Sequence, residues 1–151
     1  MQQLLSSSRF LLILPIHLMY LAIFVPATIG KFANIGGNAA YFTNLFKDTI
    51  IMSFPVSMAG HVIIIGLLEG LVCLLFLAAL LRREWLPTAS CMMFTKLGLL
   101  TTGIVFVKLG LGMRLAKQYD AAANLFFYFA LTHLIAFAVH GFFDKNKESS
   151  N

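Results

Sequence analysis

Four ionisable side chains stand near the middle of long hydrophobic stretches in this chain: His17, Glu69, Lys96 and His133. Such groups are costly in hydrocarbon, so they normally face the protein interior and mark the places where function is expected. A buried carboxylate can pair with an ammonium group, and carboxylates and imidazoles can pass protons to a bound cofactor. We therefore predict Glu69 and Lys96 as catalytic residues, and His17 and His133 as cofactor-binding residues.

The hydrophobic stretches that carry these residues are each about 20 residues long, which matches the apolar thickness of a bilayer. They cover residues 10–30, 61–81, 88–107 and 121–143. Hydrophobic residues make up 60% of the 151-residue chain and charged residues only 11%, whereas soluble domains carry about 25% charged residues. The sequence predicts an all-α polytopic membrane protein, a four-transmembrane-helix bundle forming one domain over residues 1–143. We expect the polar tail, 144–151, to be disordered.

The longest connection, residues 33–59, separates the first two spans. After Gly36 and Gly37, apolar residues recur at helical spacing from Tyr41 to Ile50, with polar residues between them. This pattern predicts a short amphipathic helix at the membrane surface. A buried re-entrant segment is the alternative.

The positions of the ionisable residues within their spans predict one shared layer. At about 1.5 Å per residue, all four lie within roughly 5 Å of the membrane midplane. We therefore expect an ion pair between Glu69 and Lys96. Gly66 and Gly70 flank Glu69 at a spacing that lets a second helix approach closely. The alternative is that the ion pair and the glycines only fix helix packing.

The histidines allow two cofactor hypotheses. His133 can donate a hydrogen bond to a quinone carbonyl. His17 together with His133 or His140 can supply the two imidazoles of a haem b site. Pro15 beside His17 and Phe137 between the other two histidines crowd a porphyrin, so quinone is the favoured cofactor.

Other function classes lack their motifs. The net charge is +5, but the basic residues are scattered and form no patch that would bind nucleic acid. Attraction to anionic lipid headgroups explains the excess, so the bilayer is the expected partner. Cys73 and Cys91 form no C-x-x-C pair, and we expect no metal site. A small transporter is disfavoured because no inverted repeat is evident.

An even number of spans places both termini on one side of the membrane. Lys and Arg are equally frequent on the two sides, so the positive-inside rule gives no decision by count. Arg82 and Arg83 in a very short loop favour cytoplasmic termini.

The pattern resembles the DoxX-like family of small four-helix bacterial membrane proteins. The resemblance covers nearly the whole chain. The elements that carry it are Arg9, Gly30-Lys31-Phe32, Phe54-Pro55, Gly66-Leu67-Leu68-Glu69-Gly70-Leu71 and the basic turn at Arg82.

The resemblance implies a bacterial inner membrane location, with Lys31 and Glu69 as the signature polar residues. It also implies a small subunit of a quinone-linked membrane redox complex, an oxidoreductase subunit if it is catalytic. In this hypothesis Glu69 handles protons, Lys96 tunes its charge, and the partners are other redox-complex subunits or further copies of the chain. The competing hypothesis is a non-catalytic scaffold or assembly protein.

Overall fold

The computed structural model describes residues 2–86, 89 and 91–143, with side chains described from residue 13 to residue 139 of those ranges. All regular elements in this part of the chain are helical. The predicted tail, 144–151, and the side chains of Arg9 and His140 lie outside the described residues.

Five α-helices make up the fold of the described residues. They are α1 (Gln2–Ala33), α2 (Ile35–Phe46), α3 (Met58–Leu81), α4 (Met93–Leu115) and α5 (Tyr119–Phe143). Within the described residues, α1, α3, α4 and α5 are long and apolar enough to cross a membrane. The predicted all-α bundle of four spanning helices is confirmed.

A short helix, α2, lies between the first two spanning helices, as predicted. The Asn34 side chain begins it by accepting a hydrogen bond from the Gly37 N–H, which satisfies one of the free amides at a helix start. α2 packs against α3 and buries Phe46. A 3₁₀ turn at Ile50–Ser53 then leads into α3.

The predicted bounds of the first and third spans are wrong. The first helix does not stop at Gly30 but continues to Ala33, so Lys31 lies inside its last turn. The third span was predicted over 88–107, whereas α4 covers Met93–Leu115 and Lys96 lies in its first turn. Lys108 and Arg114 suggested an end of the span, but a long basic side chain can follow the helix surface without interrupting it.

The spanning helices pack in the order α1, α3, α4, α5. Glycines on the buried face of α4 leave room for aromatic rings of the neighbouring helices α3 and α5. A Cβ atom on Gly98 would lie 3.0 Å from the Phe76 ring of α3, and one on Gly110 would lie 3.0 Å from the Phe126 ring of α5. These glycines therefore set the close approach of α4 to α3 and α5.

Aromatic rings fill the centre of the bundle. Tyr20 of α1 stacks on Phe76 of α3 at 4.9 Å between ring centroids, and Phe24 of α1 meets Phe106 of α4 at 5.6 Å. The outward faces carry large apolar side chains instead, including Leu74, which is 65% exposed, and Phe137, which is 77% exposed. Surfaces of this kind need a lipid environment, and the chain is a multi-pass membrane protein.

The turn after α3 directs one acidic side chain back into the protein. The Arg83 N–H binds the Leu80 carbonyl, and the Glu84 N–H binds the Ala79 carbonyl. This is the Schellman arrangement, in which one residue adopts the left-handed conformation, and Arg83 has φ 56°. As a result Glu84 folds beneath the end of the helix and is buried.

Candidate functional site

Lys31 and Glu69 form an ion pair between α1 and α3. The Lys31 Nζ lies 2.8 Å from each carboxylate oxygen of Glu69. The Glu69 side chain is 2% exposed and that of Lys31 is 16% exposed. The two residues that the family resemblance singled out are therefore in direct contact.

The direction of helical side chains explains why this pair forms. Each Cα–Cβ bond tilts toward the N-terminus of its own helix. In the last turn of α1, this tilt directs Lys31 toward the middle of the bundle. In the antiparallel α3, the same tilt directs Glu69 toward the level of Lys31, so the two side chains converge.

The expected ion pair between Glu69 and Lys96 is wrong, since Glu69 forms its ion pair with Lys31. Phe76 of α3 packs against Gly98 of α4, which sets the level of Lys96 near that of Phe76. Glu69 lies two helical turns from Phe76, so more than about 10 Å separates it from Lys96 along the bundle. The four ionisable residues do not share one layer.

The two glycines that flank Glu69 face the end of α1. A Cβ atom on Gly66 would lie 3.1 Å from the Phe32 ring and 3.6 Å from the Cβ of Lys31. A Cβ atom on Gly70 would lie 3.6 Å from Thr28, an ordinary contact. Gly66 is thus the position that brings the backbone of α3 close to Lys31, and it supports the ion pair sterically.

Beside the ion pair lies a cavity of about 520 Å³ between α1, α4 and α5, with Glu69 in its wall. We call it the α1–α5 cavity. Its lining is mostly apolar, with the hydroxyls of Tyr20 and Thr132 among the polar groups. The Tyr20 hydroxyl donates to Thr132 Oγ1 at 2.8 Å, and Thr132 donates to the Tyr128 carbonyl. The Tyr20–Thr132 hydrogen bond joins α1 to α5 across the cavity.

His133 and Lys96 line a different feature, an apolar groove of about 860 Å³ along α4 and α5. The His133 Nδ1 donates to the Phe129 carbonyl at 3.0 Å, and the imidazole packs on the Phe129 ring. Gly103 leaves room for this ring, since a Cβ there would lie 2.9 Å from it. His133 is exposed in this groove and does not line the α1–α5 cavity.

His17 belongs to a third group, together with Thr95 and Glu84. The Glu84 carboxylate, which is 3% exposed, accepts bonds from the N–H groups of Phe94 and Thr95 at 3.0 and 2.8 Å. Thr95 Oγ1 lies 2.7 Å from Glu84 Oε2 and 2.9 Å from His17 Nε2. His17 Nδ1 donates to the Ile13 carbonyl at 2.6 Å.

Glu84 was not predicted as a site residue, because the run Arg82-Arg83-Glu84-Trp85 resembles an ordinary charged helix end. One signal was available. An acidic residue a short loop before a spanning helix can accept the free amides at the start of that helix.

The surroundings of His17 do not fit a haem ligand. Both ring nitrogens are engaged, one by a carbonyl and one by Thr95, and His133 lines the separate groove along α4 and α5. The side chain of His140 is outside the described residues. Among the described residues, no group of three or more His, Cys, Asp or Glu side chains could hold a metal ion.

Compared with known proteins, the chain matches no protein-family model, no curated protein and no solved structure. The resemblance to the DoxX-like family stays a prediction.

Proposed function

We propose that the chain is a DoxX-like inner-membrane protein of bacteria, with cytoplasmic termini, that binds a quinone in the α1–α5 cavity. In this proposal it serves as a small subunit of a membrane redox complex. The observation that carries the proposal is the buried Glu69 carboxylate, paired with Lys31, in the wall of an apolar cavity of about 520 Å³.

The size and lining of the cavity suit a lipid-soluble ring. Ligand cavities of about 300–1,000 Å³ are mostly apolar and contain a few polar groups that orient the ligand. The α1–α5 cavity has this composition, with Glu69 at one position and the Tyr20–Thr132 hydrogen bond at another. Since α1 and α5 do not pack closely along their length, a ligand dissolved in the bilayer can reach the cavity from the side.

The ion pair gives the cavity a group that can handle protons. A carboxylate has about four acceptor positions, and Lys31 occupies one on each oxygen of Glu69. Glu69 can therefore accept a further hydrogen bond from a quinol hydroxyl. Lys31 takes the charge-tuning role that the sequence analysis assigned to Lys96.

The test compares two alanines on the same helix. Ala27 lines the cavity, whereas Ala22 is exposed on the outer face of α1. We expect quinone to be extracted from the wild-type protein and from Ala22→Leu after purification in mild detergent. We expect about a tenfold loss in Ala27→Leu, because the added atoms occupy the site.

Quantification of bound quinone by mass spectrometry decides the outcome. Equal amounts in the two variants would contradict the proposed site. A wild-type protein that retains no quinone from quinone-rich membranes, and binds no added short-chain ubiquinone, would contradict the quinone proposal itself.

A scaffold function is the second candidate, and one observation favours it. Lys31 already binds both oxygens of Glu69, and Gly66 packs tightly beside the pair, so these residues can serve helix packing alone. A scaffold predicts that partner proteins co-purify with Ala27→Leu as they do with the wild type, while neither sample contains quinone.

A further inference from the structure

Glu84, Thr95 and His17 form a continuous hydrogen-bonded chain from a surface loop to the interior of the bundle. All three side chains are buried, with exposures of 3%, 0% and 0%. The chain joins three parts of the fold, since Glu84 lies in the turn after α3, Thr95 in the first turn of α4 and His17 in α1. None of the three lines the α1–α5 cavity, so this site is separate from the proposed quinone site.

The bonding at both ends defines which atoms can carry protons. The Ile13 carbonyl can only accept, so His17 Nδ1 carries a hydrogen. Thr95 has a single hydroxyl hydrogen, which can point either to Glu84 Oε2 or to His17 Nε2. The hydroxyl therefore stands between one acid and one base and can bond to both.

We infer that Glu84, Thr95 and His17 are a proton relay. In one state, protonated Glu84 donates to Thr95 Oγ1, and the Thr95 hydroxyl donates to neutral Nε2 of His17. In the other state, the Glu84 O–H bond and the original Thr95 O–H bond have broken. A new O–H bond has formed on Thr95 Oγ1, and an Nε2–H bond has formed on His17. Glu84 is then a carboxylate and His17 is an imidazolium. One proton has moved from Glu84 to His17 with no net change of charge.

Water can reach the outer end of the relay. Glu84 lines a partly polar cleft of about 470 Å³ in the loop between α3 and α4, together with Arg82 and Arg83. Water in this cleft can exchange protons with Glu84, and the proton on His17 returns to Glu84 by the reverse transfer. The inner end is enclosed, because His17 is fully buried and the Phe76 ring packs against it at 5.5 Å between centroids.

Other charged or titratable groups near the relay are directed elsewhere. Arg82 lies over the Phe94 ring at 4.9 Å, and Lys96, which follows Thr95, lines the groove between α4 and α5. Tyr20, one turn from His17 on α1, donates to Thr132. From α3, the group that meets His17 is the apolar ring of Phe76.

The test measures how fast the His17 ring protons exchange with water, using ¹⁵N-histidine-labelled protein in lipid nanodiscs. Thr95→Val removes the hydroxyl but keeps the backbone N–H that binds Glu84. We expect exchange at His17 Nε2 to slow by about tenfold, the rate equivalent of one lost hydrogen bond. Thr95→Ser keeps the hydroxyl and should exchange at the wild-type rate. Glu84→Gln should slow exchange at His17 Nε2 as much as Thr95→Val does.

Two controls accompany these variants. Thr101 lies on the exposed side of α4 and bonds to the Leu97 carbonyl, so Thr101→Val should leave the rate unchanged. His61 binds a carbonyl four residues earlier, as His17 does, and its exchange should be the same in every variant. Wild-type exchange at His17 in Thr95→Val would overturn the relay, whatever the result for Glu84→Gln. Equal slowing in Thr95→Ser would also overturn it.

Discussion

Glu69 and Glu84 are both almost fully buried, yet the protein compensates their charges in different ways. Glu69 lies in the middle of α3 and is compensated by one cation from another helix, Lys31. Glu84 lies in a loop and is compensated by two backbone N–H groups at the start of α4 and by a hydroxyl. A helix start provides free amides, whereas the middle of a helix provides none. A carboxylate at mid-helix therefore depends on a partner side chain.

The largest effect is expected from removing the cation. Lys31→Met leaves the Glu69 carboxylate buried without compensation, and we expect a loss of about 3–5 kcal/mol in the free energy of unfolding. Glu69→Gln should cost less, because Lys31, in the last turn of α1, can extend toward the lipid headgroups.

Unfolding in detergent, followed by circular dichroism, measures both changes. Lys47→Met is the matched control, since Lys47 is exposed at the end of α2. If Lys31→Met behaved like Lys47→Met, the ion pair would not stabilise the fold.

A smaller and more local effect is expected at the second carboxylate. Glu84→Gln removes the charge and places an amide NH₂ against one of the two backbone N–H groups that donate hydrogen bonds to Glu84. We expect a loss of about 1–3 kcal/mol. Hydrogen exchange should also become faster at the amides of Phe94 and Thr95.

The control for this variant is Asp120→Asn, at an exposed acidic residue in the first turn of α5. Unchanged protection of the Phe94 and Thr95 amides in Glu84→Gln would show that Glu84 does not cap α4.

The glycines beside Glu69 test how closely α1 must approach. In Gly66→Ala the new methyl group meets the Phe32 ring, and we expect a loss of about 1–3 kcal/mol. In Gly70→Ala the methyl group makes an ordinary contact with Thr28, and stability should change by no more than about 0.5 kcal/mol. Equal unfolding free energies for the two variants would contradict the packing described here.

The smallest effect is expected in the turn that positions Glu84. Arg83 has φ 56°, a conformation that costs a side-chain-bearing residue about 1–2 kcal/mol but costs glycine little. Arg83→Gly should therefore raise stability by about 0.5–1 kcal/mol. Arg82→Gly should lower it, since Arg82 has φ −77° and packs over Phe94. A loss of stability in Arg83→Gly would contradict this interpretation of the turn.

The number and type of the spanning helices could be predicted from the sequence, because lipid demands long apolar segments whatever their partners are. The presence of the short helix between the first two was predictable, but the periodicity from Tyr41 to Ile50 placed it too late, since α2 covers Ile35–Phe46 and includes Gly36 and Gly37. The ends of the helices were not, since Gly30 and Lys108 looked like stops but lie inside α1 and α4. Because of this error, Lys96 was predicted in the middle of a span, whereas it lies in the first turn of α4.

The partners of the buried charges depend on helix register, which a single sequence does not encode locally. Glu69 was correctly placed at mid-helix, but its cation comes from α1, through a lysine that sequence reasoning placed beyond the helix end. The resemblance to the DoxX-like family singled out Lys31 and Glu69 without predicting their contact. Glu84 was missed because its burial depends on the turn at Arg83.

The most direct test of these conclusions is a double-mutant cycle on Lys31 and Glu69, because it measures whether the two charges act as one unit. Lys31→Met, Glu69→Gln and the double variant are unfolded under identical detergent conditions. The double variant should be more stable than the sum of the two single losses predicts, by at least about 2 kcal/mol. Losses that add within about 0.5 kcal/mol would contradict the ion pair as the centre of this bundle.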